Sequence, residues 1–256
     1  MMKREAMKKI INICKPVGIS PLDVIKTLQE KNPEYKDIPV TYAGRLDPMA
    51  EGVLLLLVGD EVHKADEYMK LDKEYEAEIL FGFETDTYDI LGIPQLVQLT
   101  GLAGGLNDGV KKEVENLKGE ISLPLPPYSS YKIQGRPLFM WAREGRLKEI
   151  KIPMRTTTIH NAKFLGSNEL GSEELLKQIT EKVNLVKGDF RQEEIARKWQ
   201  EVLEKNTDQK YFIVKIKFKV SSGTYIRSIA HSLGGTLFSL TRTKVGGFDI
   251  KDSTKI

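Results

Sequence analysis

Val53-Leu54-Leu55-Leu56-Leu57-Val58 is the longest uninterrupted aliphatic run in this chain, and it constrains the fold more than any other feature. Six residues fall far short of the roughly 20 needed to cross a bilayer as a helix. A run this short with no polar position predicts a strand, Gly52 to Val58, buried on both faces. A sheet covered on either side follows from it. Two further segments carry the two-residue period of half-buried strands. Tyr75, Ala77, Ile79, Phe81 and Phe83 share one face. So do Phe212, Val214, Ile216, Phe218 and Val220, with Lys215, Lys217 and Lys219 on the other side, expected to be a solvated sheet face.

Ile10 to Cys14 and Thr156 to Leu165 predict two more strands, and a short one holds Tyr131 and Ile133 after the proline-marked turn Leu123–Pro127. Ser20-Pro21 predicts a helix start, with Ser20 as cap and Pro21 at the first position, where a missing N–H costs nothing. A helix with Val62, Ala65 and Met69 on one side follows the aliphatic strand. Others are expected at Lys111–Leu117 and at Pro137–Glu144, the latter ended by Gly145. Asn32 to Pro48, with three prolines, predicts an ordered loop, and Gly92 to Asn107 a loop-rich connection. Strands and helices mix without regular βαβ alternation, so the expected class is α+β, with a mixed, largely antiparallel central sheet and flanking helices. A single domain is expected over residues 1–256. Gly166 to Asn206, with nine acidic and seven basic residues and helical patterns near Glu173–Val183 and Gln192–Leu203, predicts a helical insertion at its edge. Lys187, Arg191, Arg197 and Lys198 could line one side of it.

Composition narrows the chemistry. The basic N-terminal stretch has no apolar segment behind it, so neither a signal peptide nor an anchor is expected. One cysteine, Cys14, allows no internal disulfide and fits a reducing cytoplasm. Three scattered histidines, His63, His160 and His231, show no ligand spacing, and no metal is expected. A net charge of +3 permits an acidic partner without requiring one.

The candidate chemistry centres on Tyr42-Ala43-Gly44-Arg45-Leu46-Asp47-Pro48-Met49-Ala50-Glu51-Gly52. Two glycines and a proline shape a loop that leads into the aliphatic strand and offers one carboxylate, Asp47, beside a stiffened backbone. That is a suitable mount for a nucleophile at the mouth of a rigid sheet.

This loop, with Lys15-Pro16-Val17-Gly18-Ile19-Ser20 before it, resembles the TruB-type tRNA pseudouridine synthases. The resemblance continues through Asp72–Tyr75, Thr85-Asp86-Thr87-Tyr88-Asp89, Pro127–Lys132, Gly135–Gly145, Ser222–Arg227 and Leu240-Thr241-Arg242. These blocks keep the family's order over most of residues 10 to 250.

The resemblance implies the pseudouridine synthase fold and isomerisation of uridine to pseudouridine in RNA, in the T arm of tRNA at position 55, with no cofactor. It implies Asp47 as nucleophile and Arg227 as the guanidinium holding it in two parallel hydrogen bonds. Tyr75 becomes the aromatic stacked on the flipped base and a late proton carrier. Tyr225 and Leu240 line the uracil pocket, while Tyr42, Arg45, Lys15 and Arg242 bind substrate. No second carboxylate is expected beside Asp47. Tyr42 departs from the histidine that bacterial members carry in a Gly-His-Thr-Gly run. The C-terminal RNA-binding domain common in the family is not expected, and the protein is expected to be a cytoplasmic monomer. A tRNA-folding chaperone with this fold, or a synthase for another RNA hairpin, are the alternative readings. Binding alone, however, needs no carboxylate next to a polyanion.

Overall fold

A computed structural model of the chain describes residues 9–98 and 106–256. Strand β1 (Ile10–Lys15) buries Ile11, Ile13 and Lys15 on one side. A turn through Gly18 leads to helix α1 (Pro21–Lys31), where Ser20 and Asp23 form a reciprocal capping box. Strand β2 (Val40–Ala43) lies within the segment expected to be loop. Its prolines flank it at 39 and 48, and Val40 and Tyr42 pack against Leu54 and Leu56, which is sufficient to draw four residues into the sheet. Strand β3 (Ala50–Val58) holds the aliphatic run and is buried on both faces, as its composition requires.

A 3-10 turn at Gly59–Lys64 runs into helix α2 (Ala65–Met69), then strands β4 (Lys73–Phe81), β5 (Phe83–Thr85) and β6 (Pro94–Leu96). Part of the loop-rich stretch expected at Gly92–Asn107 lies outside the described residues. Helix α3 (Leu106–Asn116) precedes strand β7 (Gly119–Pro124), the small hairpin β8 (Lys132–Ile133) and β9 (Arg136–Pro137), and helix α4 (Leu138–Arg143). Then come strand β10 (Met154–Gly171), helices α5 (Ser172–Leu185) and α6 (Gln192–Glu204), and strand β11 (Lys210–Val220). Helix α7 (Ile226–Ser232), strand β12 (Gly235–Val245) and the short strands β13 (Phe248–Asp249) and β14 (Thr254–Lys255) complete the chain.

The main sheet runs β14-β1-β3-β12-β4-β11-β10-β7, with β2 beside β3 and β13 beside β12. Among the strands of the described residues only β1 with β14 and β3 with β12 pair in parallel, so the sheet is mixed and largely antiparallel. The class is α+β, as expected. One edge of β3 has two successive neighbours, β12 along Ala50–Gly52 and β2 along Leu55–Val58. The fork between them receives the Asp47 loop.

On one face of the sheet, Tyr75, Ala77, Ile79 and Phe81 of β4 and Val214, Ile216 and Phe218 of β11 pack under α7 and α3. The opposite face is divided. Near its middle Lys215 pairs with Glu76 at 2.9 Å and Lys217 with Glu74 at 3.3 Å, so the lysine stripe is a solvated face neutralised by the next strand. Farther along, α5 and α6 cover Leu80, Phe83, Ile213 and Phe238. This corrects two expectations. On β11 it is Tyr211 and Ile213 that are buried under these helices, while Phe212 is only half-buried. Residues 166–171 are not insertion but sheet, pairing with β11 from Gly166↔Lys215 to Gly171↔Lys210. The helices that follow form a packed layer: Leu175, Ile179, Ile195 and Trp199 are fully buried, and Trp199 Nε1 donates to Ile90 O at 3.1 Å. Each such side chain contributes about 1.5–3 kcal/mol, so a Gly-Ser linker in their place would expose the sheet face beneath.

Candidate active site

The loop carrying Asp47 begins at Gly44, whose φ of +81° turns the chain out of β2. Leu46 and Met49 point into the protein and are buried, each in a different core, which leaves Asp47 between them facing out. The Ala50 N–H donates to Asp47 O at 3.0 Å and closes the turn, and Gly18 N–H donates to Pro48 O at 2.8 Å. At Gly52, φ is +105° and an added Cβ would lie 2.2 Å from Arg242 O, so only glycine lets β3 and β12 approach here.

Arg242, 1% exposed, fills the fork between β2 and β12. Its Nε donates to Val53 O at 2.7 Å, Nη1 to Arg45 O at 2.9 Å and Nη2 to Gly44 O at 3.2 Å. The guanidinium borders the cavity, and three of its five N–H donors are committed to backbone carbonyls. Arg242 therefore holds the loop, and it also borders the cavity where the sequence suggested a substrate contact. Lys15 is corrected more sharply. It is fully buried outside the cavity wall, and its Nζ donates to Pro16 O and Ile19 O, both at 2.8 Å. Burial pushes its pKa down to about 8, against the pull of Asp47.

Arg227 opens α7 and is buried, with Nε 2.9 Å from Asp47 Oδ2. The Nε–H is not directed at that oxygen, so the contact is an ion pair by proximity rather than the two parallel hydrogen bonds expected. The rest of the guanidinium explains why: Nη1 donates to Thr87 O at 2.9 Å, Nη2 donates to Tyr128 O at 3.3 Å, and Nη1 lies 3.6 Å from Asp89 Oδ2. Burial opposes the charge of Arg227, but Asp47 and Asp89 outweigh it and hold its pKa above the usual guanidinium value.

Asp89 is thus a second carboxylate at the site, contrary to expectation. Its Oδ1 accepts from Thr87 Oγ1 at 2.8 Å and from Leu91 N–H at 3.0 Å. Burial raises its pKa to about 6, with Arg227 pulling it down and Asp47 pushing it further up. The residue stood in the Thr85–Asp89 block, but nothing in that block announces that Asp89 and Asp47 share an arginine.

Asp47 opens into a cavity of about 510 Å³. Around the carboxylate its wall is Tyr75, Tyr225, Ile226, Arg227 and Leu240; Tyr42 and Arg45 stand on one flank. The other flank is Tyr128, Phe139 and Arg143, joined by Phe190 and Arg191 from the connection between α5 and α6. Tyr75 is 7% exposed and sits on β4 opposite Phe218 of β11 and Arg242 of β12. The Tyr225 phenol is raised by burial first and by Asp47 second. Lys73 also borders the cavity, but its Nζ is held by Met69 O and Leu71 O, and burial lowers its pKa to about 8. Of the four basic residues considered for the helical segment, Arg191 reaches the site, while Arg197 and Lys198 pair with Glu201. Among the described residues no cluster of three His, Cys, Asp or Glu could hold a metal ion, and no helix is long and apolar enough to cross a membrane.

A model of the TruB family of pseudouridylate synthases, N-terminal domain, matches residues 34–190. The tRNA pseudouridine synthase B of Clostridium tetani is 30% identical over 256 residues, 98% of this chain and 72% of that protein. That of Clostridium kluyveri is 31% identical over 253 residues, 96% of this chain and 70% of the relative. Among solved structures, a chain of a Cbf5-Nop10-Gar1 complex superposes with a TM-score of 0.57 at 18% identity, over 96% of this chain. The chain spans about half the length of that one, 51%, and the likeness shows a shared fold.

Proposed function

Because the chain belongs to the TruB family of pseudouridylate synthases, we propose that its target is the T-loop uridine of tRNA, position 55, with Asp47 as the nucleophile. The chain isomerises uridine to pseudouridine in tRNA, and the finer assignment fits the site. The reaction breaks the N1–C1′ bond, turns the uracil and joins C5 to C1′; the C5 proton leaves and N1 gains one, so no atom is lost or added. Such a sequence needs a carboxylate beside the sugar while the base is detached.

Two carboxylates border the cavity, and one observation selects between them. The Asp47 side chain is 42% exposed and faces the space, whereas Asp89 is 8% exposed behind Arg227. Arg227 then aims Asp47, and Asp89 steadies Arg227. Tyr75 stacks on the extruded base, and Tyr225 and Leu240 close the pocket around it. Tyr42 and Arg45 meet the nucleotides outside. A base in a loop costs least to extrude, a few kcal/mol, which suits a T-loop target. The protein acts on the T arm as a cytoplasmic monomer.

The test is incubation of the purified protein with a T-arm transcript, followed by mapping of pseudouridine. Modification at position 55, absent when that uridine is replaced by cytidine, is the expected outcome. Modification at another uridine of the tRNA would overturn the assignment of position.

A further inference from the structure

We propose that the turn joining α5 to α6, residues 186–191, is a wall of the RNA cleft, on which Phe190 and Arg191 hold the nucleotide next to the target uridine. The inference rests on the tRNA reading above and names an element that the sequence had set apart from catalysis.

The turn is built to stay in place. Gln192 stitches it from inside: its Nε2 donates to Val186 O at 2.9 Å and Gly188 O at 2.7 Å, and its Oε1 accepts from Phe190 N–H at 2.9 Å. Lys187 N–H donates to Gly18 O at 2.8 Å, which ties the turn to the segment supporting Pro48. Arg191 is held in the left-handed region, φ +63°, where a side chain is unfavourable unless its surroundings enforce it. A connection between two helices needs none of this.

Its chemistry suits a single-stranded nucleotide. The Arg191 guanidinium sits 4.7 Å from the centre of the Tyr128 ring and pairs with Asp86 at 2.9 Å, yet stays 26% exposed at the cavity. Phe190, half-buried, borders the same space. Aromatic faces and guanidinium planes are what unstacked bases settle on, while the guanidinium charge serves the adjoining phosphate. Arg143 of α4 donates to Asp189 O, which joins the turn to Tyr128, Phe139 and Arg143 as one continuous wall on that flank. A net charge of +3 gives the chain little general attraction for RNA, so grip must be concentrated at local cations such as these.

Arg191→Gln and Phe190→Leu separate charge from stacking, and the leucine keeps the apolar packing of position 190. Affinity for a T-arm RNA at several salt concentrations, and kcat and KM for isomerisation, are measured alongside thermal melting. Each variant is expected to weaken binding about tenfold, the loss falling on KM rather than kcat. Arg191→Gln should also lower the slope of log affinity against log salt by about 0.7, whereas Phe190→Leu leaves it unchanged. An inactive wild-type protein would strike at the tRNA reading itself. An active one whose variants bind like wild type would overturn this inference, as would loss in kcat alone, which would mean that the turn acts only through Gly18 on the Asp47 loop. If Phe190→Leu fails to fold, Arg191→Gln alone decides.

Discussion

The Asp47 loop is held from two sides by two buried arginines, and the two holds are built differently. On the β12 side Arg242 gives its donors to three backbone carbonyls, those of Val53, Arg45 and Gly44. On the α7 side Arg227 donates to two carbonyls, those of Thr87 and Tyr128, and pairs by charge with two carboxylates, Asp47 and Asp89. Carbonyls do not titrate and do not leave, so the first hold sets the shape of the loop. Carboxylates carry charge, and one of them is the proposed nucleophile, so under that proposal the second hold would bear on the chemistry. The difference teaches that two buried arginines on one loop can be held in different ways, one by carbonyls alone and one also by charge.

The largest effect should come from removing the charge that distinguishes the two sides. Asp47→Asn is nearly isosteric and should lower turnover at least about a thousandfold, while tRNA affinity and melting temperature stay near wild type. Residual turnover within tenfold would remove Asp47 as nucleophile and leave the α7 side merely structural.

Next comes the exchange of each arginine for lysine. Arg227→Lys keeps a charge but cannot reach Asp47, Thr87 O and Tyr128 O together, and misplacement of the nucleophile costs about a hundredfold in kcat. Arg242→Lys leaves at least one buried carbonyl without a donor, a cost of about 1–3 kcal/mol in stability, with a smaller loss of rate. Chemical denaturation and kcat measured on both variants test the division. If Arg242→Lys loses more rate than Arg227→Lys, the two sides are not separate in the way described.

The mildest probe is pH. The Asp89 pKa is raised to about 6, so below that value the carboxyl is protonated and Arg227 keeps Asp47 as its one charged partner. kcat/KM should therefore fall, by no more than about tenfold per pH unit, as pH drops through about 6. Asp89→Asn should flatten that limb at a lower rate. Stability runs the other way for this group. Between its ordinary value and about 6 the folded protein holds a proton that the unfolded chain does not, so the contribution of Asp89 to stability is fully present below the ordinary value and is lost as pH rises through about 6. An acid limb that persists in Asp89→Asn would assign the titration elsewhere.

Much of the frame was legible before the fold. The alternation of Tyr75–Phe83, the cap at Ser20 and the helical periods at Glu173–Val183 and Gln192–Leu203 all appear as elements near their expected bounds. β2 escaped notice because four residues between prolines, three half-buried and one buried, show no period. Arg191 was among the basic residues noted, but its place at the cavity beside Phe190 escaped because turn residues carry no pattern, and helices with mixed charge resemble an appendage until the face they cover is known.

The sequence by itself determined the local elements and the aliphatic strand that demands cover on both faces, since period and hydrophobicity act through neighbours along the chain. It also held the motif blocks that resemble one family and, within them, Asp47 and Arg227. Only the tertiary structure decided how each polar group is spent. Lys15 and Arg242 are consumed by carbonyls, Asp89 stands behind Arg227, and β10 continues to Gly171 beneath a helical layer. A hydrogen bond or ion pair depends on a few ångströms between residues far apart in the chain, and that proximity exists only after the strands have been ordered into a sheet.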